Sequence, residues 1–186
     1  MRIISGFFRG KKLLEPKDIK TRPLKDLTKE SIFNIIDHSN KFRVEVVGAN
    51  VLDLFSGVGS FGIECLSRGA EKVIFTENYQ GALSVLKKNL INLKYTDNYK
   101  IIKKDIYKES TILLLNEVFD IIFLDPPYKD KNLEKIFISI KKGDILKKNG
   151  IIILHRHKNE KDLIPNNFKI IEEKKYGISK INFISL

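Results

Sequence analysis

Two clusters of residues in this 186-residue chain could do chemistry. The first is Asp125-Pro126-Pro127-Tyr128, directly after the apolar run 119–124. Pro127 has no backbone N–H and restricts the residue before it, so a rigid, extended turn leaves the strand end. That turn carries a carboxylate, exposed carbonyls and an aromatic ring. Such a set can hold a flat ring bearing an amine: acceptors take the N–H hydrogens and Tyr128 covers a face. The second cluster is the glycine loop Asp53-Leu54-Phe55-Ser56-Gly57-Val58-Gly59-Ser60-Phe61-Gly62. Gly57 and Gly59 let the backbone approach a ligand, and Gly62 lets the following helix pack close to a sheet. Each cluster alone also fits a plain structural turn. The glycine spacing alone fits a nicotinamide or flavin site as well.

Asp53 separates the ligand classes. A pyrophosphate favours backbone N–H groups and a helix N-terminus, and a nearby carboxylate does not help it. The carboxylate suits a cation such as S-adenosylmethionine, whose sulfonium and amino groups are both positive. Ser56, Gly57 and Gly59 would then hold the methionine part. Glu77, about 20 residues beyond the first glycine and after a second apolar strand, can accept from both ribose hydroxyls. Asp105, after Ile101-Ile102, could receive the adenine amine, with Ile106 packing on the ring; an N-cap or loop acid is the plainer alternative. Asp125 and the Pro126 carbonyl would hydrogen-bond an exocyclic base nitrogen and favour its pyramidal, nucleophilic form. The methyl donor carries its own activation, so no metal is expected. The protein chiefly supplies alignment and a pocket for developing charge.

These residues need a scaffold that brings strand ends together. Hydrophobic residues make up 42% and charged residues 31%, a globular composition at a one-domain length. No apolar run suits a bilayer span and no apolar leader opens the chain, so a cytoplasmic protein without membrane partners is expected. The single cysteine, Cys65, excludes an internal disulfide framework and is expected to be packed. His38, His155 and His157 are the only histidines and have no Cys-x-x-Cys companion. His155 and His157 follow strand 151–154 and could face the cleft, but are expected on a loop surface.

Strand patterns near 51–55, 72–76, 99–103, 119–124 and 150–155 alternate with helix patterns near 60–68, 79–92, 106–116 and 131–146. That alternation predicts a parallel sheet with helices on both faces. Segments 168–173 and 180–185, joined through Tyr176-Gly177, predict an antiparallel C-terminal hairpin. Asp53, Glu77, Asp105 and Asp125 each end a strand and should face one crevice at the carboxyl ends.

Residues 1–43 read as a basic arm and residues 44–186 as the α/β domain. The arm holds strand-like pieces at 1–5 and 12–14 and an amphipathic helix at 26–38. The net charge of +11 is concentrated in this arm, which favours a polyanionic partner, with Arg9, Lys12 and Arg22 facing phosphates. A solubilising, lysine-rich surface is the plainer alternative.

The chain resembles the bacterial 16S ribosomal RNA guanine-N2 methyltransferase family that modifies the small subunit. The matching pieces run through nearly the whole length: Met1-Arg2-Ile3-Ile4-Ser5-Gly6 with Arg9-Gly10, Thr21-Arg22-Pro23, Lys29-Glu30-Ser31-Ile32-Phe33-Asn34, the glycine loop, Glu64-Cys65-Leu66-Ser67-Arg68-Gly69, Asp125-Pro126-Pro127-Tyr128 and Tyr176-Gly177. The resemblance implies a class I methyltransferase, Rossmann-like fold with a mostly parallel seven-stranded sheet. It implies a monomer acting on guanine N2 of 16S RNA in the small subunit or its assembly intermediate. By that match Asp53, Gly57 and Glu77 bind S-adenosylmethionine, Asp125 and Tyr128 serve the guanine, and the arm closes the site and contacts RNA. Departures at Leu24, at Val58 and around Leu27-Thr28 leave the core motifs intact. An adenine-N6 methyltransferase on RNA or DNA stays open, because adenine presents a similar exocyclic amine. A nicotinamide-dependent oxidoreductase would leave residues 125–128 without a task. A noncatalytic RNA-binding assembly factor would leave the carboxylates without one.

Overall fold

The computed structural model describes residues 1–16, 24–94, 98–127 and 130–186, so Arg22 and Tyr128 lie outside the described residues. Seven strands form one sheet in the order β3-β2-β1-β4-β5-β7-β6. They are β1 Asn50–Leu54, β2 Lys72–Thr76, β3 Tyr99–Ile102, β4 Phe119–Leu124, β5 Leu146–His157, β6 Lys169–Tyr176 and β7 Ser179–Ser185. The helices are α1 Asp26–His38, α2 Ser60–Ser67, α3 Gln80–Leu93, α4 Glu109–Leu113 and α5 Leu133–Lys142. Strands β1 to β5 run parallel, and β7 runs antiparallel to β5 and β6. This is the expected Rossmann-like sheet with its C-terminal hairpin.

Alternation along the strands sorts the core into two layers. Val51, Phe123, Ile153 and Phe183 face one side, with Phe33 of α1, Phe61 of α2 and Leu86 of α3. Leu52, Leu54, Ile122, Leu124, Ile152 and Leu154 face the other, with Ile112 of α4 and Ile136 and Phe137 of α5. The chain order reverses beside β1, which lies between β2 and β4. The ligand crevice of such sheets opens there, at the carboxyl ends.

Several element ends differ from expectation. β1 stops at Leu54 because Phe55 turns into the left-handed region at φ 60°. α4 spans only Glu109–Leu113. α5 stops at Lys142, and β5 already starts at Leu146, so Asn149-Gly150 lies inside a strand instead of breaking the chain. The β4–β5 register shifts between Phe119 and Ile121, and that irregularity absorbs the turn-forming pair. β5 also runs on to His157, which corrects the placement of His155 on a loop surface. His155 is a buried strand residue because β7 pairs with β5 as far as Ser179.

The first residues do not form a free arm. Arg2 and Lys12 form an antiparallel bridge, and Ile3, Phe8 and Leu13 enter the same core layer as α1 to α3. Gly6 lies so close to α2 that a Cβ there would sit 1.7 Å from the Ser67 carbonyl oxygen. Ser67 in turn accepts from the Phe7 N–H at 2.7 Å and, on its hydroxyl, from the Phe8 N–H at 3.0 Å.

A buried ion pair completes the attachment. Lys29 of α1 and Glu64 of α2 are both fully buried, with Nζ and Oε2 3.4 Å apart. The Glu64 carboxylate also accepts from the Ile4 and Ser5 N–H groups and from Arg68 Nε. Lys29 Nζ donates to the Arg2 carbonyl at 2.7 Å. Among the described residues no helix is long and apolar enough to cross a membrane.

Candidate functional site

The glycine loop is built from its hydrogen bonds. Asp53, the penultimate residue of β1, is almost fully buried and accepts from the Gly62 N–H, 2.9 Å from Oδ2, in the first turn of α2. Its Oδ1 is buried without a hydrogen-bond partner among the described residues. Burial holds the Asp53 carboxyl well above the ordinary carboxylate range; the Gly62 N–H pulls it back, and Asp125 and Glu77 nearby push it further up. A positive ligand group would relieve all three acids at once.

Ser56 commits its donors to the scaffold. Its hydroxyl donates to the Asp53 carbonyl at 2.6 Å and to the Thr76 carbonyl at 3.2 Å, and its N–H donates to Thr76 at 3.0 Å. It ties β1 to β2. Gly57, at φ 56°, has open space where a Cβ would be. Its N–H donates to Glu77 Oε2 at 2.8 Å, and the Tyr79 N–H donates to Oε1 at 2.7 Å. Burial raises the Glu77 carboxyl from its ordinary value, and the backbone donors of Tyr79, Gly57 and Asn78 partly offset that. Gly62 packs against the sheet as expected, since a Cβ there would meet the Phe75 ring at 2.4 Å.

A cavity of about 230 Å³ opens beside this loop, lined among others by Phe55, Glu77, Asp105, Ile106 and Pro127. It brings the second, third and fourth strand ends together; of the four acids expected in one crevice, Glu77 and Asp105 line it, whereas Asp53 and Asp125 do not. Asp105 accepts the Tyr107 N–H on Oδ1 at 3.0 Å, so one oxygen shapes the turn. Ile106 is buried beside it. A second concavity of about 420 Å³, lined by Arg43, Glu45, Asp120 and Lys147, lies at the amino ends of the strands, away from this chemistry.

The turn after β4 is held from β5. Asp125 Oδ1 lies 2.9 Å from His155 Nδ1, and His155 Nε2 lies 2.9 Å from the Ser179 hydroxyl. Pro126 is buried and Pro127 exposed. Arg156, 1% exposed, donates to the Pro127 carbonyl at 2.8 Å, the Asp130 carbonyl at 3.0 Å and Asp162 Oδ1 at 2.9 Å. Neither His155 nor Arg156 carries a local motif, so sequence reasoning weighed the cleft for His155 only as the lesser alternative and did not single out Arg156. The run of strand-like residues through Leu154 into His155 was the available signal.

Arg9 and Lys12 are exposed. Arg9 sits in the turn against the far end of α2, roughly one 12 Å helix length from the glycine loop. The other end of the hairpin meets the loop through Asn89 of α3. Its side-chain oxygen accepts from the Leu14 N–H at 2.8 Å, and its Nδ2 donates to the carbonyls of Leu14 at 3.2 Å and Val58 at 3.1 Å. Among the described residues no group of three or more His, Cys, Asp or Glu could hold a metal.

Residues 1–185 match the family model described as Conserved hypothetical protein 95. The Bacillus subtilis protein YlbH is 34% identical over 184 residues, covering 97% of this chain and 96% of that one. Ribosomal RNA small subunit methyltransferase D of Haemophilus influenzae is 32% identical over 183 residues, covering 96% of this chain and 90% of its own. The solved structure of Escherichia coli yhhF aligns with a TM-score of 0.83 at 27% identity, covering 99% of this chain and 96% of that one.

Proposed function

The chain belongs to the family described as Conserved hypothetical protein 95, and on that premise we propose that it is an S-adenosylmethionine-dependent methyltransferase of small-subunit ribosomal RNA, acting on a guanine N2. The observation that carries the reading is at the start of α2. A dinucleotide site needs loop N–H groups free for pyrophosphate. Here the Gly57 N–H is committed to Glu77 and the Gly62 N–H to Asp53. The helix N-terminus already holds the Asp53 carboxyl, whose other oxygen is buried without a hydrogen-bond partner among the described residues. The donor set therefore fits a cation.

When bound, S-adenosylmethionine supplies a methyl group activated by a positively charged sulfur. Asp53 offers Oδ1 to the ammonium group. Glu77 offers lone pairs to the ribose hydroxyls, and Asp105 with Ile106 forms the wall for the base. Asp125 stands at the neighbouring strand end with an oxygen, Oδ2, that takes no hydrogen bond among the described residues. That oxygen accepts an N–H of the guanine amine and draws its lone pair toward the methyl carbon. It receives the proton that the methylated nitrogen sheds. The Pro126 carbonyl can take the second N–H. Tyr128 covers the base in this proposal.

Incubating the protein with labelled S-adenosylmethionine and small subunits from cells lacking it, then mapping the label, tests the reading. Label on guanine N2 supports it; label on adenine N6 selects the alternative amine; no label on 16S RNA overturns it.

Glu77→Ala is expected to weaken S-adenosylmethionine binding by about 1–3 kcal/mol, the cost of leaving hydroxyls without a charged acceptor. Calorimetry on the free protein measures this, and unchanged affinity would remove Glu77 from the site.

Asp53 makes the binding pH-dependent. Its folded-state carboxyl is raised above the unfolded value, so between those values the folded chain holds the extra proton. The stability Asp53 contributes is fully present below the unfolded value and is lost as pH rises through the folded one. A cation beside Oδ1 favours the ionised form, so binding within that window should release up to about one proton. Calorimetry in buffers of different protonation heat reads the release, and Asp53→Asn should eliminate it.

The RNA reading assigns Arg9 and Lys12 to phosphates, with Arg22 as their partner in sequence. Reversing Arg9 and Lys12 together should lower small-subunit affinity and flatten its salt dependence by a slope of roughly 1–2. Cofactor affinity serves as the control. An identical salt slope would leave both side chains as solvated charge.

A further inference from the structure

We propose that His155 and Arg156 are positioning residues that clamp the acceptor turn from opposite faces of β5, a role that rests on the methyltransferase reading above. Consecutive strand residues point to opposite faces. His155 pairs with Ile181 in the layer that contains Asp53 and Asp125, while Arg156 pairs with Lys180 in the other. From one face His155 reaches the Asp125 side chain at the start of the turn; from the other Arg156 reaches the backbone at its middle and end.

The chemistry of the first contact is set by its partner. An ionised carboxylate only accepts, so the imidazole donates from Nδ1 to Oδ1. With the imidazole donating from Nδ1, the Ser179 hydroxyl, 2.9 Å from Nε2, can donate to that nitrogen and hold the ring plane. Oδ1 is thereby anchored, which leaves Oδ2 for the acceptor amine in this proposal. His155 touches Asp125, so in this proposal it acts through Asp125.

The second contact uses the guanidinium fork. Arg156 spans the Pro127 and Asp130 carbonyls on either side of Tyr128, while Asp162 holds its Nε. A lysine carries its donors on a single nitrogen and cannot reproduce a fork that sets three nitrogens on three acceptors. The clamp therefore fixes the turn at both ends before substrate arrives, and the contacts come from a strand instead of a loop.

The test has one readout independent of activity. In the imidazole 15N spectrum of the free protein, His155 Nδ1 should carry a proton, and Asp125→Ala should shift that signal. On small subunits, His155→Leu should lower kcat by about 10–100-fold, the effect of losing alignment, with cofactor affinity unchanged. His155→Asn, whose side-chain amide can donate to the same carboxylate, should recover most of that loss. Arg156→Lys should raise KM for the small subunit more than it lowers kcat. A His155 signal unmoved by Asp125→Ala, or wild-type kcat in His155→Leu, overturns the clamp. If the wild-type protein transfers no methyl group, the methyltransferase reading fails, and the spectrum still decides whether His155 holds Asp125.

Discussion

Asp125→Ala should lower methyl transfer to the small subunit by about 10²–10⁴-fold while S-adenosylmethionine affinity stays close to wild type. The separation follows from position. The cofactor contacts proposed for Asp53, Glu77 and Asp105 come from the ends of β1, β2 and β3, whereas Asp125 ends β4 and turns toward His155. Removing its carboxylate takes away the acceptor for the amine N–H and the station for the departing proton. It also leaves His155 Nδ1 without that partner, at a cost of about 1–3 kcal/mol in stability. Single-turnover rates at a temperature well below the variant's melting point keep the two effects apart. A normal rate in Asp125→Ala would reduce the Asp-Pro-Pro-Tyr turn to a structural element.

The largest effect on stability is expected at Glu64. Glu64→Leu should destabilise the fold by about 3–5 kcal/mol, because Lys29 is left buried without its counter-charge. The Ile4 and Ser5 N–H groups and Arg68 Nε lose their acceptor in the same step. Burial already lowers the Lys29 pKa, with Glu64 as the main opposing influence. Between that lowered value and the ordinary one, the unfolded chain holds a proton that the folded chain lacks. Stability therefore rises with pH through this window, and Glu64→Leu should widen it toward lower pH. Denaturant titration from pH 7 to 10 measures both predictions. In the Lys29→Met, Glu64→Gln double variant the loss should be clearly smaller than the sum of the single losses. An additive result would mean that the pair does not act as a unit.

What was legible in the sequence followed from local chemistry. The alternation of elements made the sheet legible, and of the residues singled out at strand ends Glu77, Asp105 and Ile106 line the cavity beside the glycine loop. Gly62 is the clearest case, since the close approach to Phe75 is written into a residue without a Cβ. What escaped depended on partners distant along the chain. Asn149-Gly150 resembles a chain break until β4 supplies the register shift that absorbs it. His155 resembles loop surface until β7, reached only after residue 178, extends the ladder over it. Ser56 resembles a ligand contact until both of its donors are seen to join two strand ends. Lys29 and Glu64 stand in separate helices, and nothing local announces that they pair.

The two margins of the sheet bear on behaviour at high concentration. An open strand edge is a template on which another chain can continue a ladder. One margin is β3, only four residues long. The other is β6, whose sequence Lys-Ile-Ile-Glu-Glu-Lys-Lys-Tyr places charge at most positions, with Lys174 and Lys175 paired to Glu172 and Glu173 along the same strand. An incoming strand would have to desolvate those charges to pair there. The fold thus protects itself against edge-to-edge aggregation by a short strand on one side and a charged one on the other.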